Sequence, residues 1–158
     1  MTVSHSTLEA IKYEKSLGEL LVLNQLLLPY ESKYEKVVSA KEGHSQIKEM
    51  KVRGAPAIAI VAALSLAVEL QHSKALQEMS LSDFGAYIHE RLEFLKTSRP
   101  TAVNLFEACD RIQELVALKS KCDGADAKQV ASSIVEFAQE MLIKDVQDNK
   151  GFLHILNI

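Results

Sequence analysis

From Gly54 to Val68 the chain carries no charged side chain, and that one run limits the folds open to it. A helix made of these residues is apolar on every side, so all of its faces must be covered. Pro56 to Leu70, with Glu69 as its first charge, is therefore expected to be the central helix of a core. A bilayer span needs about 20 apolar residues. This stretch is shorter and rich in alanine, so no membrane partner is expected.

The cover must come from the rest of the 158 residues, enough for one domain. Before the run, the pattern is that of strands and turns. Thr7 to Tyr13 alternates roughly with period two, and Glu19 to Gln25 reads as a second strand after a turn at Ser16 and Gly18. Pro29 ends that segment because it cannot donate to a ladder, and Tyr34 to Val38 returns as a third strand. Glu42 to Met50 reads as a short amphipathic helix. After the run, Ser80 caps a helix to about Lys96, with Phe84, Ile88, Leu92 and Leu95 on one stripe. Ala102, Leu105, Phe106, Cys109, Ile112 and Val116 mark another helix. Gly124 and Asp126 separate it from a last one, Lys128 to Val146, buried through Val130, Ile134, Phe137, Met141 and Leu142. The expected fold class is α+β: a small N-terminal antiparallel sheet of about three strands, followed by a helical bundle.

Charge excludes one class of partner. Eighteen Lys plus Arg against twenty-one Asp plus Glu leave a formal charge of -3, without the basic surplus of a nucleic-acid binder. Cys109 and Cys122 are too few for a disulfide scaffold and match no zinc or redox spacing, which fits a reducing cytosolic setting. Met1 to Glu9 is polar and lacks an apolar core, so no secretory signal is expected.

The chemistry concentrates at the start of the uncharged run, Val52-Arg53-Gly54-Ala55-Pro56-Ala57-Ile58-Ala59. Pro56 suits a first helical position, where a missing N–H costs nothing. Gly54 lets a ligand approach the backbone. The first turn of a helix presents unpaired N–H groups at its positive end, and Arg53 adds a fork able to hold a phosphate through two hydrogen bonds. Read from spacing alone, a plain helix start with a solvated Arg53 stands level with the anion site. Ser98-Arg99-Pro100-Thr101 repeats the device, with Ser98 or Thr101 as cap. Two guanidiniums on one anion is the sharper reading, and two ordinary helix starts the plainer one. His5, His44, His72, His89 and His154 are scattered and read as surface or rim residues. Cys109 reads as a small hydrophobe and Cys122 as a loop thiol beside lysines. Glu31 with Glu35, and Asp145 with Asp148, read as solvated faces. No complete catalytic constellation and no metal site emerges.

Met50 to Ala59, followed by Leu64 to Leu70, resembles the N-terminal domain of the methylthioribose-1-phosphate isomerase family. Leu8 to Tyr13, Leu23 to Pro29 and Ser98 to Asn104 are similar to its other motifs, although the family more usually has Asp where Asn24 stands. The likeness covers about Thr7 to Lys150. It implies an aldose–ketose isomerase of methionine salvage, acting on 5-methylthioribose 1-phosphate without metal or organic cofactor. Kinship follows with the regulatory subunits of translation initiation factor 2B and with ribose-1,5-bisphosphate isomerases. The substrate-binding residues it implies are Arg53, Gly54, Ala55 and Arg99. The expected partner is the phosphorylated sugar, with a homodimer as in the family. The expected location is the cytoplasm, with the nucleus second. In the family, a Rossmann-like C-terminal domain supplies a catalytic cysteine and an acid–base aspartate, and neither Cys109 nor Cys122 matches that cysteine. The expected organisation is thus residues 1-150 as the N-terminal domain and 151-158 as an unrelated apolar tail, a chain truncated before the catalytic domain and inactive alone. A regulatory interaction module is the alternative from another class. Arg53-Gly54-Ala55-Pro56 and the N-terminal strand motif favour the isomerase.

Overall fold

A computed structural model describes residues 9–156, with side chains through 149. Three strands, β1 (Ile11–Glu14), β2 (Glu19–Leu23) and β3 (Tyr34–Val37), form an antiparallel meander in the order β1-β2-β3. The register pairs Ile11 with Val22 and Leu20 with Val37. Those four side chains are buried on one face, as period-two alternation requires. The first expected strand shortens to Ile11–Glu14, and its Thr7 and Leu8 lie outside the described residues. Beyond Leu23 the chain closes into a 3-10 turn, Gln25–Leu27, whose Leu26 N–H donates to Asn24 Oδ1 at 3.1 Å.

Six helices follow: α1 (Ala40–Lys48), α2 (Ala55–His72), α3 (Lys74–Gln77), α4 (Leu81–Lys96), α5 (Val103–Ser120) and α6 (Ala127–Leu156). α2 is the axis of the fold. It packs against α1, α5, α6 and the sheet, and twelve of its eighteen residues are buried. It is apolar enough to cross a membrane by length and composition, but here its faces are covered by protein. Its one carboxylate, Glu69, accepts hydrogen bonds from Tyr87 Oη at 2.6 Å and from the Ala40 N–H at 3.3 Å. A half-buried charge on the core helix is thereby partnered.

The expected α4 stripe is buried throughout, whereas Ala102 and Phe106 of the α5 stripe and Phe137, Met141 and Leu142 of the α6 stripe are half-buried. Phe84, Ile88, Leu92 and Leu95 of α4 are buried, and so are Leu105, Cys109, Ile112 and Val116 of α5. Ser80 caps α4 by accepting from the Asp83 N–H. Several boundaries differ, and one short helix is additional. α1 begins at Ala40 because Ser39 and Glu42 cap it, Glu42 Oε2 accepting from the Val38 N–H at 2.7 Å. The four-residue α3 has too few residues to show a period. α6 runs on past Val146 to Leu156: Gln147 to Lys150 contain no proline, and one Gly151 costs a helix only about 1 kcal/mol.

Candidate functional site

The loop before α2 is held from both sides. Met50 leaves α1 in the left-handed region (φ 62). The next residue, Lys51, is clamped between Glu35 and Glu49, each 3.0 Å from its Nζ. The Gln25 N–H donates to the Lys51 carbonyl at 2.8 Å, and Val52 is fully buried. Glu35, expected on a solvated face, is therefore half-buried and ion-paired. Its partnership with Lys51 holds that ammonium pKa above its ordinary value, with Glu49 adding to the effect.

Beyond this clamp the chain is free. Arg53, Gly54, Ala55 and Pro56 are all exposed. Gly54 is the N-cap of α2, with φ 96 and ψ 132 and no side-chain cap. The first helical bond runs from the Ile58 N–H to the Gly54 carbonyl. Pro56 is the second helical residue rather than the first, because the turn at Gly54 releases Ala55 into the helix. The N–H groups of Ala55 and Ala57 precede that first bond, and they face outward at the positive end of an eighteen-residue dipole. Among the described residues Arg53 has no ion pair, so its fork is open to an anion.

The second arginine sits differently. α5 begins at Val103, with Ala102 as an N-cap that offers no side chain. Pro100 is three residues ahead of the helix, and neither Ser98 nor Thr101 caps it. Ser98 is buried, and its Oγ donates to the Leu95 carbonyl at 2.6 Å. Residues 97–102 are thus a turn, closed by the Ala102 N–H on the Arg99 carbonyl at 3.0 Å. Arg99 is half-buried and, among the described residues, also without an ion pair.

Do the two starts meet? α2 and α5 pack side by side. Pro56, Ala59 and Ile60 of α2 share one cleft of about 260 Å³ with Asn104, Ala108 and Arg111 of α5. The first turns of α2 and α5 therefore border one cleft, and neither the Arg53 nor the Arg99 guanidinium lines it. Phe137 and Met141 of α6 form its apolar floor, and Lys144, Asp145 and Asp148 its rim. The sequence alone did not reveal this wall. Asp145, expected on a solvated face, is half-buried. Burial and then Asp148 push its carboxyl above the usual range. Glu107 pairs with Arg111 at 3.1 Å. The rim thus opposes two cations with three carboxylates and favours no anion.

The remaining candidates fall away from the site. Cys109 is buried on the α5 stripe, where loss of solvent pushes its thiol up to about 12, far from any nucleophilic thiolate near neutral pH. Cys122 is exposed and donates to the Leu118 carbonyl. His72 bonds to the Gly18 carbonyl at 2.8 Å and His89 to Gln113 at 3.0 Å, both on the surface.

Comparison with known proteins extends this picture. The pattern of the Initiation factor 2 subunit family matches residues 51–155. The chain is similar to proteins named methylthioribose-1-phosphate isomerase. That of Trichoplax adhaerens is 51% identical over 145 residues, covering 91% of this chain and 39% of the relative. That of Aspergillus terreus is 47% identical over 146 residues, covering 91% and 38%. The chain thus spans under two-fifths of the length of the curated relatives it matches. Among solved structures it is similar to 5-methylthioribose 1-phosphate isomerase from Pyrococcus horikoshii, with TM-score 0.76, 36% identity and coverage of 87% of this chain and 36% of that one. Subunit delta of translation initiation factor eIF-2B from A. fulgidus shares the fold, with TM-score 0.72 at 24% identity over 89% and 38%.

Proposed function

The chain belongs to the Initiation factor 2 subunit family, and on that premise we propose that it is the phosphate-holding part of an aldose–ketose isomerase acting on 5-methylthioribose 1-phosphate. The observation that carries the reading is the start of α2. There Arg53, without an ion pair among the described residues, an exposed Gly54 with φ 96, and the N–H groups of Ala55 and Ala57 ahead of the first helical bond follow one another in four exposed or half-exposed positions. The names of the relatives at 47 and 51% identity supply the sugar phosphate that such a loop would hold.

The chemistry follows from charge. A phosphate ester brings a dianion, which the dipole of α2 and the Arg53 fork both favour over a neutral sugar. Gly54 removes the Cβ that would hold the ester away from the backbone. Arg99, ahead of the first turn of α5, is a second fork for the same group. These residues bind and orient, and none of them moves a proton. Cys109 is buried and protonated and so supplies no thiolate, and we assign the isomerisation step outside the described residues. Its expected setting is the cytosol, which suits a pair of free cysteines.

The test is an isomerase assay with methylthioribose 1-phosphate on the purified chain beside a full-length relative. The reading predicts turnover by the relative, none above background by the chain, and measurable binding of the substrate by both. A chain that binds no sugar phosphate would sink the reading and favour a regulatory interaction module. Turnover by the chain would place the catalyst among its own residues.

A further inference from the structure

Arg99 stands two residues beyond Thr97, and at Thr97 the turn is tied to a distant helix. The imidazole of His44, on α1, stacks on the Phe94 ring with centroids 4.2 Å apart and planes 14° from parallel. Its Nε2 lies 2.9 Å from Thr97 Oγ1. Thr97 Oγ1 donates its one proton to the Phe94 carbonyl at 2.6 Å, so toward His44 it accepts, and the imidazole carries its proton on Nε2. Among the described residues this is the one hydrogen bond between side chains that joins residues 97–102 to another element. The far end of α1 leads through the Lys51 clamp to Arg53. His44 therefore sits on the element that connects the two arginine loops.

We propose that His44 is a positioning residue for the anion site, fixing the Arg99 turn against α1 and so setting its distance from the Arg53 loop. The bond touches no ligand and acts through Thr97. Its scale is that of a single neutral hydrogen bond, so the expected effect is modest and specific to Arg99. The inference rests on the phosphate reading above, and two readouts keep them apart.

His44→Phe retains the aromatic stack and removes the donor, whereas His44→Gln keeps an amide donor in its place. The first readout is amide hydrogen exchange in the 158-residue chain. His44→Phe is expected to speed exchange of the Ser98 and Ala102 N–H groups about three- to tenfold. Amides of α2 should keep their rates, and His44→Gln should restore most of the protection. The second is titration with inorganic phosphate at constant ionic strength. His44→Phe should weaken binding in the native background and have no further effect once Arg99 is Ala, while its effect persists in Arg53→Ala. Unchanged exchange at Ser98 and Ala102 overturns the inference whatever phosphate does. If Arg99→Ala weakens phosphate binding but His44→Phe does not, His44 serves the turn alone and the inference falls while the phosphate reading stands. Phosphate binding indifferent to both arginines overturns the phosphate reading, and with it the role assigned to His44.

Discussion

Gly43 of α1 lies so close to Ser65 of α2 that a β-carbon added at Gly43 would overlap both the Cβ and the Oγ of the serine. Ser65 is fully buried and its Oγ donates to the Ala62 carbonyl at 2.8 Å. It cannot swing away without abandoning that bond in the core. The crossing of α1 over α2 depends on this contact, and so does the path by which α1 delivers the Arg53 loop.

Two opposed effects meet in Gly43→Ala. Alanine improves helix propensity by about 1 kcal/mol, while overpacking a buried contact costs roughly 1–3 kcal/mol. Here the neighbour is a short side chain fixed to its own helix, so the overlap wins. Urea denaturation should show a net loss of stability, and Gly43→Ala combined with Ser65→Gly should recover part of it.

Gly54 and Gly85 both have open space where a β-carbon would go, yet they predict opposite signs. Gly85 lies inside α4, and Gly85→Ala should stabilise the fold by up to about 1 kcal/mol. Gly54 has φ 96, a conformation costing an L-residue about 1–3 kcal/mol. Gly54→Ala should destabilise by that order, or shift the start of α2, with no steric clash involved. Thermal unfolding of the two variants beside the native chain checks both.

Alkaline stability should reflect Cys109. Its thiol rises from an ordinary 9.0 to about 12 through burial, with Lys96 opposing and Asp110 and Glu93 adding to it. Below pH 9 both folded and unfolded chains keep the proton. Between pH 9 and 12 the unfolded chain loses it and the folded chain retains it, so unfolding is favoured as pH rises, by up to about 1.4 kcal/mol per pH unit. Tyr13 and Tyr87 are raised by burial as well and act with the same sign at higher pH. Unfolding free energy followed across that range should fall less steeply in Cys109→Ala than in the native chain.

Much of the fold was legible because burial leaves a pattern. The uncharged run could only be an interior helix, and α2 extends the expected Pro56 to Leu70 helix by one residue at the start and two at the end. The stripes on α4 and α5 carried the same information. The start of α1 carried a signal that the Glu42 to Met50 reading missed, since Ser39 followed by Glu42 is a capping signature placed just ahead of the apolar positions. Two features of the site had no such signal. Arg53-Gly54-Ala55-Pro56 and Arg99-Pro100-Thr101 share their local chemistry, yet the first opens a helix and the second a turn. Burial of Ser98 against α4 decides that difference. Likewise the Glu35–Lys51 pair and the cleft wall at Asp145 are products of tertiary packing, and no local period announces either. The cleft shared by the first turns of α2 and α5 had no local signal either.

The central claim is that Arg53 and Arg99 hold a phosphate ester beside the first turns of α2 and α5. Its most direct test is the affinity of the native chain, Arg53→Ala, Arg99→Ala and Lys128→Ala for methylthioribose 1-phosphate, read by calorimetry at low salt. Exposed ion pairs are screened by solvent, so each arginine variant should bind about two- to fivefold more weakly. Lys128, exposed at the far end of α6, should behave as native. Arginine variants that bind as tightly as the native chain would contradict the account.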